Sequence, residues 1–584
     1  MRFLARLAPI FILFAFAAGS AQAQEITPAN LPADITLVVF SHSNAQIRAA
    51  APANPIAQSW YGPESTQVRR LLMQYLVSKM DPKPNGETYK LTPENADRLA
   101  SLLENSLVFG TSNSPGLMFA ATPPSGGQKE DAYSKMGAFF ILDTTGKESQ
   151  FNLLWSALLA ALPKEIAHTK YNFAGISVDK FAGPNETTFS AQIGARFVWS
   201  TQQKLTEDLI ARLSSGAASS NSLADNPDFQ HCQARPASGS VFDAFFRIPD
   251  LSKIPIPPVQ QFDVTASIQA LHLDSIHAMC GNVSMGPVGG MGRWTILGDT
   301  SQDSPLSWAG SNRTKFDTFA LAPPNATSVS IGTFDLQAFY KSLKNAVAAA
   351  MPGRQQASAD MMEGMAAMQL GMPIPDLLGL FRGEFASIKI GSQTSPTQQV
   401  FALTIANPEQ ILTLIHKFAP TAISSELQEN GVTYLTVAAT IPPAITTVPH
   451  SPYTYVALTP RFMLISPDKQ ILRDAVERSG APQGAAIGAS IADNADVQKL
   501  RAMFPTEVMG FTITDYKSSE FQKMMTDTFE SLGAQDKTKI TPEEVQLIDS
   551  LKKIQWVALM GNLRWGVGAW WKDANGIHFE NRMQ

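Results

Sequence analysis

Ser222-Leu-Ala-Asp-Asn-Pro-Asp-Phe-Gln230 returns about 270 residues later as Ser490-Ile-Ala-Asp-Asn-Ala-Asp-Val-Gln498. Six of the nine positions are identical, and Leu/Ile and Phe/Val each exchange one apolar residue for another. A match this dense at that distance points to an internal duplication. The period far exceeds the roughly 20–50 residues of solenoid repeats. Each half is long enough to bury its own core.

The likeness extends outward. Arg196-Phe197 leads into Ser200, Leu205, Asp208 and Ile210, and Arg461-Phe462 leads into Ser466, Ile471, Asp474 and Val476. Both read as a strand, a Ser-capped turn and an amphipathic helix. Phe246-Arg-Ile-Pro-Asp250 and Phe511-Thr-Ile-Thr-Asp515 read as strands after the two copies. Ile268-Gln269 and Ile554-Gln555 each read as the opening of an apolar strand. Pro32-Ala-Asp-Ile-Thr36 matches Pro323-Pro-Asn-Ala-Thr327, and Leu99–Gly110 more faintly matches Leu377–Ile388. The halves are therefore set at 31–312 and 321–584, with a protease-sensitive junction expected at about 312–322.

Within the halves, helices are expected at Val68–Met80, Gln150–Leu162, Asp335–Ala350, Ser358–Leu370 and 408–418. Strands are expected at 116–121, at 172–180 and 186–199 as one hairpin, and at 453–465 after a Pro-rich loop at 441–452. Strands and helices are interspersed without βαβ regularity. This predicts an α+β fold, built twice: in each half a largely antiparallel sheet with helices packed on one face.

Arg2 and Arg6, the apolar run Leu7–Gly19 and Ala21-Gln-Ala23 make residues 1–24 read as a secretory signal peptide. The mature chain is expected to be periplasmic or secreted, without a transmembrane segment. Charged residues are only 16% of the chain and no dense Lys/Arg block occurs, which sets nucleic acid aside. The two cysteines, Cys232 and Cys280, suit either a disulfide in an oxidising compartment or a pair of small buried side chains.

The repeated motif reads as capping. Ser222 and Asp225 have the spacing of a local cap. Asn226-Pro-Asp228 reads as a helix start, with Asn as N-cap and Pro at the first helical position. Asn494 keeps the cap in the second copy. The Leu-Pro-Ala-Asp opening, the Ser-x-x-x-x-Leu-x-x-Asp helix and the Ser-Leu-Ala-Asp-Asn-Pro-Asp-Phe turn together resemble an uncharacterised family of exported bacterial proteins, known only as a domain of unknown function. The resemblance implies an exported location and a non-catalytic role, and it carries over no active site.

No zinc-protease or nucleophile-elbow motif occurs, and neither enzyme activity nor a cofactor is expected. Gly286–Gly292 lacks the lysine of a phosphate loop and reads as a hairpin. His231, Cys232, His272, His277 and Cys280 are the one Cys/His concentration weighed for zinc. Ser466-Pro-Asp-Lys469 has the Ser-x-x-Lys spacing of penicillin-binding enzymes, so an envelope-polymer hydrolase is the rival reading. Its partner Ser200-Thr-Gln-Gln203 loses the lysine, which favours a cap at a helix start. Met361, Met365, Met368 and Met372 form one helical stripe. Core packing, a copper(I) site and an adaptable apolar groove all suit it. The leading expectation is an exported binding or scaffold protein whose Met stripe takes an unknown apolar ligand or exported partner.

Overall fold

The computed structural model describes residues 26–42, 54, 93–112, 137–160, 162, 164–184, 187–215, 221–233, 240–248, 263–286, 289–301, 304–351, 354–390, 398–438, 453–480, 490–518, 522–523, 526–527, 542–554 and 563–583. The leader at 1–24, the helix at Val68–Met80, the strand at 116–121 and the loop at 441–452 lie outside the described residues.

The chain forms two compact units. Unit 1 holds residues up to Pro249 with 277–297 and 522–563. Unit 2 holds 250–276, 298–521 and 564–584. The boundaries 31–312 and 321–584 are therefore corrected: 250–276 belongs with the later strands and 522–563 with the earlier ones. The expected junction is also corrected. Phe316, Leu321 and Ala322 are buried in the core of unit 2, so 312–322 is not an exposed linker.

Unit 1 contains β1 (Ile35–Ser41), β2 (Leu107–Ser112), β3 (Gly137–Asp143), β4 (Ala167–Phe173), β5 (Ile176–Ala182), β6 (Thr187–Ile193), β7 (Arg196–Ser200), β8 (Ser240–Arg247), β9 (Ile276–Gly286) and β10 (Gly289–Gly298). They pair in the order β4-β5-β6-β7-β3-β2-β1-β8-β9-β10. Unit 2 contains β11 (Ala326–Thr333), β12 (Phe381–Ile390), β13 (Gln399–Ile405), β14 (Ile423–Glu429), β15 (Val432–Ala438), β16 (Tyr453–Leu458), β17 (Phe462–Ser466), β18 (Gly510–Asp515), β19 (Trp565–Asp573) and β20 (Gly576–Met583). Their order is β14-β15-β16-β17-β13-β12-β11-β18-β19-β20, that of unit 1 with every number advanced by ten. The strand registers described in each unit are antiparallel.

Helices enter at matching connections. α1 (Pro93–Leu102) precedes β2, α2 (Glu148–Ala160) follows β3, and α3 (Gln203–Ser215) and α4 (Pro227–Gln233) follow β7. α5 (Val264–Ala270) lies between β8 and β9 but belongs to unit 2. α6 (Leu336–Ala350), α7 (Arg354–Leu370) and α8 (Ile374–Gly379) separate β11 from β12. α9 (Pro408–Phe418) follows β13, and α10 (Lys469–Ser479) and α11 (Ala495–Arg501) follow β17. α12 (Pro542–Lys552) lies between β18 and β19 but belongs to unit 1. Ile268-Gln269 thus sits in α5 rather than opening a strand.

Each sheet carries helices on both faces, not one. In unit 2, Phe462 and Leu464 of β17 pack with Ile471 and Leu472 of α10. The alternate residues Met463 and Ile465 face Ile411 and Ile415 of α9. In unit 1, Leu205 and Leu209 of α3 pack with Val198, while the α2 rings of Phe151 and Trp155 pack tilted against Phe197. Strands buried on both faces lose the apolar–polar alternation, and Phe462-Met-Leu-Ile465 is one such continuous run.

The expected hairpin at 172–199 is a four-stranded meander, and 453–465 is two strands rather than one. β14 went unread. The sequence signal for β14 is Asn430-Gly431, both with positive φ (52° and 76°), a turn that joins β14 to β15.

The repeated motif closes the same local structure in both units. Asn226 Oδ1 accepts from the N–H groups of Asp228 and Phe229 at 3.0 and 3.2 Å, and Asn494 Oδ1 from those of Asp496 and Val497 at 3.0 and 3.2 Å. The Ser222 N–H donates to Asp225 at 2.8 Å and that of Ser490 to Asp493 at 2.7 Å. Leu223 N–H donates to Leu31 O at 2.9 Å, and Ser490 Oγ to Ala322 O at 2.9 Å. The two sequence likenesses are thus one physical unit: each motif docks on the stretch that opens its half. Asn226→Ala and Asn494→Ala are each expected to cost about 1 kcal/mol in thermal or urea denaturation.

Candidate functional site

Cys232 on α4 and Cys280 on β9 are joined, with Cα atoms 6.0 Å apart. Both sulfurs are used in that bond, so neither is a thiolate for zinc. Gly286 ends β9 and Gly289–Gly292 open β10, which pairs with it.

Ser466 and Lys469 are not brought together as a nucleophile and its base. Ser466 is 0% exposed and its Oγ donates to Gln399 O at 2.8 Å. The same oxygen accepts from the Asp468 N–H at 3.0 Å, while Lys469 opens α10 as an exposed residue. The helix cap is Asp468, not Ser466 as the spacing suggests: Asp468 accepts from Gln470 and Ile471, while Ser466 is buried two residues earlier. Ser200 in unit 1 is equally buried and closes the matching turn through Gln202.

The methionine stripe turns outward. Met361, Met365 and Met368 are 61%, 44% and 76% exposed, and only Met372, past the end of α7, packs against the α8–α9 core cluster. The reason is Glu363. At about 100° per residue, Glu363 falls roughly opposite the methionines. It accepts from Tyr340 Oη at 2.6 Å and pairs with Lys344 Nζ at 2.6 Å, both on α6. A polar anchor therefore faces the protein and the thioethers face solvent, the inverse of an ordinary amphipathic helix.

The Lys344 ammonium, then the Tyr340 hydroxyl, hold the Glu363 carboxyl below the usual range, and Glu363 in turn raises Lys344. Burial, then the bond to Glu363, pushes the Tyr340 phenol up to about 12. A lowered carboxylate stabilises the docked helix above its unfolded pKa and loses that contribution as pH falls through its folded value. Acidification below the usual carboxylate range, or Glu363→Gln at neutral pH, is expected to release α7 from α6. Carbon-13 methyl spectra of Met361, Met365 and Met368 report it.

The second feature is a cleft of about 670 Å³ in unit 2. Arg313, Lys341, Arg382 and Lys572 line it, with Asp335 as the one carboxylate. They come from four separate stretches of sequence, which is why no motif announced them. The walls are fixed by backbone contacts. Gly383 has φ +74° and a Cβ there would lie 2.6 Å from Phe334 O, so only glycine fits the break in β12. Asn312 exchanges two hydrogen bonds with the backbone of Lys572, at 2.9 and 3.1 Å. Arg313 reaches Glu384 at 3.2 Å and Arg382 O at 3.2 Å. Burial lowers the pKa of Lys572, and nearby Asp335 partly restores it.

No protein-family model, curated protein or solved structure matches this chain. Function is therefore read from these two features. Among the described residues, no helix is long and apolar enough to cross a membrane.

Proposed function

We propose that this is an exported, non-catalytic binding or scaffold protein built by internal duplication. The Met361–Met365–Met368 side of α7 receives the apolar surface of a ligand or exported partner. The observation that carries the reading is the outward stripe itself: three flexible, polarizable side chains held in solvent by a polar anchor on the opposite side. Exposed methionines on one helix adapt to partners of variable shape. Export rests on the leader read at 1–24. Duplication is supported by the shared strand order and by matching caps at Asn226 and Asn494. The hydrolase reading has less support, because the Ser466 proton already serves Gln399 O.

The test is a photoreactive amino acid placed at Met365 in the exporting cell, with the same group at exposed Lys204 as control. A discrete adduct at 365 that is absent at 204 is expected. No adduct at 365, or equal labelling at both positions, contradicts the proposal.

A further inference from the structure

We propose that Met361, Met365 and Met368 form a reversible oxidation site. An oxidant of the peroxide class converts the thioethers to sulfoxides and turns this side of α7 from apolar to polar without undocking the helix. The inference rests on the reading of α7 as a ligand surface and adds its regulation.

Access comes first, because oxidation selects the sulfurs that a small oxidant can reach. Of the five exposed methionines among the described residues, three are on this one stripe. Gly364 lies on the same side of the helix, and a Cβ added there would meet nothing within 4 Å, so the flank is open as well. Met509 is fully buried, and Met372 and Met463 pack against an apolar cluster. Met503 is as exposed as Met365, but its Sδ accepts from Arg582 Nη1 at 3.3 Å, which engages a sulfur lone pair. Met279, the fifth, is 38% exposed, less than any of the three.

The chemistry is an oxygen transfer. A sulfur lone pair attacks one oxygen of hydrogen peroxide, the O–O bond breaks as the S–O bond forms, and the other oxygen leaves as water with both protons. Sulfur loses two electrons and the peroxide gains them. Methionine sulfoxide reductases reverse the step with a dithiol, which becomes a disulfide as the oxygen leaves as water. Each sulfoxide is polar where the thioether was apolar. The three fall on one side of α7 and therefore change a single surface together. The anchor of Glu363 to Tyr340 and Lys344 contains no sulfur and lies on the opposite side. Oxidation in a core disrupts packing, whereas here it changes what the surface can bind and leaves the helix docked.

The full mature protein is treated with graded hydrogen peroxide, and sulfoxide is located by mass spectrometry of its peptides. Met361, Met365 and Met368 are expected to carry most of their sulfoxide before Met509 carries any, with the thermal midpoint unchanged. Retention on a phenyl resin is expected to fall with their oxidation. It returns after treatment with methionine sulfoxide reductases of both epimer specificities and dithiothreitol, against an unoxidised sample given the same dithiol. Met361→Leu/Met365→Leu/Met368→Leu keeps the surface apolar without sulfur and is expected to hold its retention through the peroxide treatment. Met503→Leu is expected to lose retention as the wild type does. Oxidation of the three no earlier than Met509, a midpoint that falls as they oxidise, or equal loss of retention in the triple leucine variant overturns the site. None of these readouts needs a bound ligand, so a missing adduct at position 365 counts against the proposed function and not against this inference.

Discussion

Replacing Cys232 and Cys280 together by serine is expected to destabilise unit 1 by about 4 kcal/mol. The bond closes a sequence separation of 48 residues and ties α4 to β9. Without it, the unfolded chain regains the freedom of that loop. Unit 2 does without such a tie: the position matching Cys232 is Leu500, buried in its core. The loss is therefore expected in one unit only. In guanidinium chloride the double variant should show an early transition for unit 1 while that of unit 2 stays in place. A single transition at the wild-type midpoint would show that the bond contributes little.

Glu384→Ala is expected to cost about 3 kcal/mol. Glu384 is 2% exposed, and its Oε1 accepts from both the N–H and the Oγ of Thr318 at 2.7 Å. Its Oε2 accepts from Arg313 at 3.2 Å. Removing the carboxylate leaves the buried Thr318 donors without their acceptor and Arg313 without its countercharge. Glu384→Gln keeps an acceptor for Thr318 and is expected to cost clearly less. Urea midpoints at unchanged slope measure both. Equal losses in the two variants would mean that charge, not the Thr318 bonds, dominates. The change also loosens the Arg313 side of the unit 2 cleft.

What could be read in advance was local. The caps at Asn226 and Asn494 follow from short-range chemistry, and both appear in place. The helix at 408–418 was bounded correctly because Asn407 caps it and Pro408 occupies its first position. The strand meander at 167–200 was hidden because one of its turns uses Ala174 at positive φ, a residue that does not advertise a turn. The assignment of 250–276 to unit 2 and of 522–563 to unit 1 is a long-range fact that periodicity cannot carry. The methionine spacing put the thioethers on one side of α7 but not which way that side points. Glu363 decides that, through partners on another helix. The cleft was illegible for the same reason, since its cations run from Arg313 to Lys572.

The reading of this chain as a binding protein is tested most directly by native mass spectrometry on protein taken from its own compartment, wild type beside Met361→Ser/Met365→Ser/Met368→Ser. These side chains face solvent, so the triple variant is expected to fold with an unchanged midpoint. The account predicts an added mass on the wild type, a lipid or a second polypeptide, that is absent from the variant. A wild-type protein that carries no added mass, or an added mass retained in full by the variant, would contradict it.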